Sequence, residues 1–197
     1  AYEWADALFP TARASYNIAL WYGRRLGEDG ASSLPILSDA QREIYTDFFR
    51  GKMAEGDRLL EIIIERGTLA KDAKERAFLF QLRGLAHGAD YELFGAPQSK
   101  HIAESSFKLA LASLEENPII AETESAEGMR LFVQYHYAVF LSRLGGAEGK
   151  SREGEIRALL QSLKKAPRDA LFFSYLKNLG EMPQEMRAED KENARGL

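Results

Sequence analysis

The sequence predicts an all-α protein, and two observations lead to that prediction. The run from Met129 to Leu144, the least polar of its length, carries apolar side chains nearly all the way round a helical wheel. Such a helix is covered on several sides, so other helices must pack around it. Elsewhere apolar residues recur at helical spacing between capping and helix-ending residues. One β-branched run, 62–64, resembles a strand, but its flanks DRLLE and ERG are helical in character.

The N-terminal part predicts two helical stretches. Apolar residues at helical spacing cover 2–9, and Pro10 ends or kinks that stretch because proline removes a backbone donor. A second stretch covers 12–26 and stops at Gly27. The segment GEDGASSLP that follows is a loop by composition.

A third stretch opens with a capping box formed by Ser38 and Gln41. Gly51 and Gly56 each weaken a helix by about 1 kcal/mol relative to alanine. No proline or asparagine supports a turn there, so we expect one long helix that reaches Arg66.

The middle of the chain predicts two further helices. Asp72 and Glu75 form a capping box for a helix that runs as far as Phe94. We expect Ser99 to cap the next helix, which ends at Asn117.

The C-terminal part predicts the remaining helices. Thr123 or Ser125 caps the central helix, which ends at the connection GGAEGK, and Ser151 caps its successor, closed by Pro167. A last helix covers 170–179, which gives about eight helices. We predict a single helical domain over 1–180, followed by a polar tail or surface helix over 181–197.

Composition excludes several classes of protein. The chain has 197 residues, 45% hydrophobic and 28% charged, with a net charge of −4, as in ordinary soluble folded proteins. It lacks the clustered basic stripe of a nucleic-acid surface and any run long enough for a transmembrane segment. The absence of cysteine excludes disulfides and a cysteine nucleophile. The compartment stays open: cytoplasmic or, if a leader was removed before Ala1, bacterial envelope or periplasm. The oligomeric state is also open.

Two successive helix pairs carry small, large and helix-ending residues at similar positions. The positions that carry it are Phe80, Gly84, Ala103, Phe107, Ala110 and Pro118 in the first pair, and Ala138, Gly145, Gly146, Ile156, Leu160, Leu163 and Pro167 in the second. This pattern resembles the tetratricopeptide repeat over about residues 73–167. The resemblance implies a right-handed array of antiparallel helix pairs whose first helices line a concave groove.

The pattern also departs from that repeat. Gly84 and Ala138 lie farther apart than its length of about 34 residues. Gln134 stands where the second unit should have a large aromatic residue. A degenerate, repeat-like array and a plain helical bundle are therefore both retained as predictions.

No catalytic set, cofactor motif or metal site emerges from the residue pattern. His101 and Glu104 share a helix face and could contribute to a metal site, although such a pair is usually solvated. His136 and Arg143 form either a polar seam beside another helix or an anion-binding pair. The segment GGAEGKS lacks the glycine at position 144 that a phosphate-binding loop requires.

The density of aromatic residues suggests a binding role. In the repeat register, the groove stripe consists of Phe78, Gln81, Leu85, Phe132, Tyr135, Val139 and Ser142. We predict a non-enzymatic interaction or scaffolding module that binds a protein or peptide segment in this groove. The alternative is a helical protein that encloses a small apolar ligand in a cavity. A third possibility is an enzyme that uses His101, Glu104 or His136.

Overall fold

The computed structural model describes residues 2–28, 36–66, 73–116, 124–144 and 146–164, and all the regular structure in these ranges is α-helical. The helices are α1 (Tyr2–Gly27), α2 (Asp39–Glu65), α3 (Ala73–Phe94), α4 (Pro97–Glu115), α5 (Glu124–Ser142), α6 (Gly146–Ser151) and α7 (Glu153–Lys164). The all-α prediction is confirmed for this part of the chain. The helix predicted over 170–179, the tail over 181–197 and the caps Asp72 and Thr123 lie outside the described residues.

Helix α2 forms as one element, as the sequence predicts. The Ser38 hydroxyl accepts a hydrogen bond from the Gln41 backbone N–H at 3.3 Å, and the Gln41 side chain accepts one from the Ser38 N–H at 3.0 Å. The capping box therefore satisfies two backbone donors that the first turn of a helix leaves open. The β-branched run 62–64 is helical, and Ile63 points into the core.

Two predicted helix boundaries are wrong. Helix α1 continues through Pro10, so of the two alternatives for this proline the one in which it ends a helix is wrong. Helix α4 begins at Pro97 with Ala96 as its N-cap, and Ser99 lies inside its first turn. Proline suits the first helical position because its missing N–H would have no partner there anyway. Ser99 therefore does not cap the helix, and its hydroxyl donates a hydrogen bond to Asp90 of α3 instead.

The connection after α5 is also more ordered than predicted. Residues 146–150, which the sequence assigns to the connection GGAEGK, form the short helix α6 together with Ser151. Ser151 ends α6 instead of capping α7, and its hydroxyl donates to the backbone carbonyl of Glu148 at 2.7 Å. Ser125 likewise lies within α5 rather than before it.

The helices pack as antiparallel neighbours along the chain: α1 on α2, α3 on α4, and α5 on α7. Glycines allow neighbouring helices to approach closely. A Cβ at Gly56 of α2 would lie 2.8 Å from the Tyr16 ring of α1, which is too close for a larger residue to fit without a shift. At Gly84, a Cβ would lie 3.1 Å from the Phe107 ring. The first pair contacts the second through α1–α3 and α2–α3, and the second contacts α5 through both α3 and α4.

Helices α1, α3 and α5 run parallel to one another. Gly23 of α1 lies beside Ala89 of α3, and Gly88 of α3 lies beside Phe140 of α5. The main core cluster joins α2, α3, α4 and α5 around the fully buried ring of Phe107. The apolar character of α5 follows from this position, because Val133 and Phe140 are buried in the same cluster.

Candidate functional site

A groove of about 840 Å³ lies along α1, α3 and α5. Its apolar lining comprises Leu20, Phe78, Leu82, Leu85, Leu93, Phe107, Phe132, Tyr135, Val139 and Phe140. Three parallel helices thus present aromatic and aliphatic side chains to one concave surface. Apart from the charged residues Arg24, Glu28, Glu92 and Arg143, the polar residues that line the groove are Asn17 and His136.

Five of the seven residues predicted to form the stripe line this groove: Phe78, Leu85, Phe132, Tyr135 and Val139. The other two do not. Gln81 is fully buried behind the wall, where its Nε2 lies 3.1 Å from His136 Nδ1. Ser142 is exposed, and its hydroxyl donates to the Val139 carbonyl at 2.7 Å.

One end of the groove carries paired charges from the C-terminal ends of the three helices. Arg143 of α5 lies 2.9 Å from Glu92 of α3, and Arg24 lies 2.6 Å from Glu28. His136 and Arg143 both contact α3, so the polar-seam interpretation of these two residues fits the structure. The rest of the groove depends on apolar contact.

A second candidate is a polar cluster centred on Asp57. Its carboxylate accepts hydrogen bonds from the Tyr16 hydroxyl at 2.8 Å, from Arg83 Nε at 3.0 Å and from His87 Nε2 at 2.8 Å. Burial alone would raise the pKa of Asp57, but the hydrogen bond and charge of His87 and the charge of Arg83 outweigh it and hold that pKa below its usual value. Burial and the same carboxylate raise the pKa of the Tyr16 phenol.

The cluster continues from His87 into α4. His87 Nδ1 lies 3.4 Å from Ser99 Oγ, and the Ser99 hydroxyl donates to Asp90 Oδ2 at 2.6 Å. Arg50 is the last member of the cluster. Its Nε lies 3.3 Å from Asp90 Oδ1, and its guanidinium lies 4.3 Å from the centre of the Phe94 ring.

The arrangement of Asp57, His87 and Ser99 superficially resembles a hydrolase triad. In such a triad the serine hydroxyl gives its proton to the histidine. Here Ser99 is buried and its hydroxyl donates its hydrogen bond to Asp90 instead, and none of the three side chains lines the groove. The geometry therefore ties helices together and does not activate a nucleophile.

Sequence reasoning missed this cluster. A signal exists, because His87 and Asp90 fall three residues apart among the small apolar residues on the buried face of α3. Polar side chains on such a face need partners. Their partners come from α2 and α4, however, and pattern alone does not align one helix with another.

Within the described part of the chain, no third potential metal ligand joins His101 and Glu104. His101 is exposed, while Glu104 binds Lys108 at 2.7 Å and Arg152 at 2.8 Å. Burial would raise the pKa of Glu104, but these two cations lower it overall. Among the residues that the structure describes, there is no group of three or more potential metal ligands.

Comparisons of the chain with protein-family models, with curated proteins and with solved structures found no match. Within the described ranges, no helix combines the length and the apolar character needed to cross a membrane. The function must therefore be argued from the groove and from the packing around it.

Proposed function

We propose that the protein is a non-enzymatic interaction module that binds a segment of a partner protein in the groove along α1, α3 and α5. The observation that carries this proposal is the groove itself. Three parallel helices supply its apolar, aromatic-rich concave wall, and the groove has a volume of about 840 Å³. An extended or helical peptide with regularly spaced apolar anchors would bury its side chains there. Polar selectivity would come from His136 and the paired charges at one end.

We also infer that the helices form a repeat-like array similar to tetratricopeptide repeats. The pairs α1–α2, α3–α4 and α5–α7 follow one another, and each pair contacts the next. The first helices of the pairs run parallel and share the groove, which is the surface that such arrays use for binding. The Phe107 ring packs closely against Gly84, and the buried Ala103 and Ala110 lie on either side of Phe107 in the sequence. This small-large-small pattern supports the proposed similarity to tetratricopeptide repeats.

A peptide display library selected on the wild-type protein tests the proposal. Selected peptides should bind a Val139→Arg variant at least about tenfold more weakly, a loss of about 1.4 kcal/mol, because an arginine would stand on the groove wall. The matched control is Ile64→Arg, at a 46% exposed position outside the groove. Circular dichroism checks that both variants fold. Peptides that bind both variants as well as wild type would contradict the groove assignment.

A second candidate function is the binding of a small apolar ligand. The groove volume falls within the range of small-molecule sites, about 300–1,000 Å³. Native mass spectrometry of freshly purified protein separates the two proposals. A co-purified molecule that Val139→Arg displaces and Ile64→Arg retains would favour the small ligand over the peptide.

A further inference from the structure

An aromatic patch lies on the surface that the first two helices share. Its four rings belong to Trp21 and Tyr22 of α1 and to Tyr45 and Phe48 of α2. The ring centre of Trp21 lies 4.9 Å from that of Tyr22 and 6.1 Å from that of Tyr45. The ring centre of Tyr22 lies 5.2 Å from that of Tyr45 and 5.3 Å from that of Phe48, on which it stacks. The four rings therefore form one continuous surface across both helices.

This aromatic patch is open to solvent. Trp21 is 57% exposed and Phe48 is 50% exposed. Ile18 is 41% exposed and Ile44 is 51% exposed, and they extend the patch by one turn, before Tyr22 and Phe48. Four of the eight large hydrophobic residues that are exposed in the described ranges thus gather at one place. Single exposed apolar residues are ordinary, whereas a contiguous group of them marks an interaction surface.

The aromatic patch faces away from the second helix pair. Gly23 of α1 and Arg50 of α2 both face α3. Trp21 and Phe48 stand two residues before them, which places each about 160° away round its helix. None of the patch residues lines the groove. The patch therefore covers the outer side of the first helix pair, where a terminal pair in a stacked array needs a polar surface unless something covers it.

The area of the patch is large enough for a stable contact between two chains. An aromatic side chain can bury about 150–250 Å², so Trp21 and Phe48 alone leave about 200 Å² for a partner. The whole patch offers roughly 400 Å² of apolar surface, and two copies placed face to face would bury roughly 800 Å². Apolar atoms make up about 60% of such interfaces, so the polar rim would bring the total to about 1,300 Å². Stable interfaces begin at about 1,200 Å².

We propose that the aromatic patch is the contact between two copies of this chain, related by a two-fold axis. In such a contact the same surface meets itself, so an apolar patch meets an apolar patch and the association closes at two. Trp21 of one copy would pack against Phe48 of the other, ring edge to ring face. Arg25 and Asp47, of opposite charge, border the patch and could pair across the axis. The proposal does not depend on what the groove binds.

Sedimentation velocity of the full-length chain over about 1–100 µM tests this proposal. Wild type should be a dimer at the upper end and dissociate on dilution. Phe48→Glu places a charge from each copy in the contact and should raise the dissociation constant at least about 100-fold. The matched control Ile64→Glu changes a 46% exposed residue about 160° away on the same helix and should leave the constant within about twofold. Circular dichroism checks folding, and Trp21→Lys is a second patch variant.

Four results would overturn the proposal. Wild type could remain a monomer at about 100 µM. A dimer could form but respond equally to the patch variants and to Ile64→Glu, which would place the contact elsewhere. Species larger than dimers would show that the patch meets a different surface of the next copy. A monomer that binds phosphatidylcholine vesicles, and loses that binding in Phe48→Glu, would assign the patch to a lipid surface.

Tryptophan fluorescence measures burial at the contact directly. The chain has two tryptophans, so Trp21 reports alone in a Trp4→Phe background. Its emission maximum should move to longer wavelength on dilution, because dissociation exposes the ring to water, and adding Phe48→Glu should give the longer wavelength at every concentration. An emission maximum that stays constant while the dimer dissociates would place Trp21 outside the contact and overturn the proposal.

Discussion

His87 on α3 donates from Nε2 to Oδ2 of Asp57 on α2, across 2.8 Å. The same carboxylate accepts hydrogen bonds from Tyr16 on α1 and from Arg83 on α3. One side chain therefore joins three helices: Oδ1 accepts two hydrogen bonds and Oδ2 accepts one. A partly buried carboxylate of this kind is stable only while its donors remain in place.

Replacing Asp57 with asparagine should be costly. Asparagine keeps the shape but removes the charge that His87 and Arg83 face, so we expect the free energy of unfolding to fall by about 2–4 kcal/mol. The control Glu55→Gln breaks the ion pair with Lys52, which is closer to the surface, and should cost less than about 1 kcal/mol. Urea unfolding followed by circular dichroism measures both values. Equal losses in the two variants would mean that the cluster contributes no more than a surface pair.

The same carboxylate predicts a pH dependence. The pKa of Asp57 is lower in the folded protein than its usual value, so its contribution to stability is complete above the unfolded pKa and is lost as the pH falls through the folded one. The difference in unfolding free energy between wild type and Asp57→Asn should thus shrink from about pH 6 to about pH 3. Urea titrations at the two pH values test this, and a constant difference would contradict it.

Two glycines of α2 should respond in opposite directions to alanine. A Cβ at Gly56 would meet the Tyr16 ring at 2.8 Å, so Gly56→Ala should destabilise by about 1–3 kcal/mol. Gly51 has open space around it, and Gly51→Ala should stabilise the protein by about 0.5–1 kcal/mol through helix propensity. Thermal unfolding of the two variants gives the comparison. Stabilisation by both would show that α1 and α2 are packed less closely than described.

Gln81 should tolerate an apolar side chain of similar size. It is fully buried, and its Oε1 has no hydrogen-bond partner. Gln81→Met removes that oxygen and should change the free energy of unfolding by less than about 1 kcal/mol. Gln81→Ala leaves a cavity and should cost about 2–4 kcal/mol. If methionine cost as much as alanine, the contact between Gln81 and His136 would carry the stability at this position.

Local patterns in the sequence were enough to predict much of the helical structure. The capping box of Ser38 and Gln41 and the continuity of α2 across its glycines needed no knowledge of the partners of that helix. The failures occurred where a neighbour changed the local preference. Ser99 looks like an N-cap, but Pro97 already starts the helix and Asp90 offers the serine a different partner.

The groove residues illustrate the same limit. Phe132, Tyr135 and Val139 were assigned to the groove stripe by the register that the resemblance to the tetratricopeptide repeat implies, and they line the groove. Gln81 was assigned to the same stripe, but it turns behind the wall towards His136. A residue at the border of a face is assigned correctly only when the rotation of the helix against its neighbour is known.

The sequence by itself determined the helical class and the apolar character of α5, because helical periodicity and capping act over a few residues. Only the tertiary structure decided which side of α5 faces α3, which glycines receive aromatic rings, and that Asp57, His87, Ser99 and Asp90 meet. The physical reason is that such contacts depend on the register between helices distant in sequence. Many residue pairs must fit at once to set that register, and it cannot be predicted from the sequence of any one helix alone.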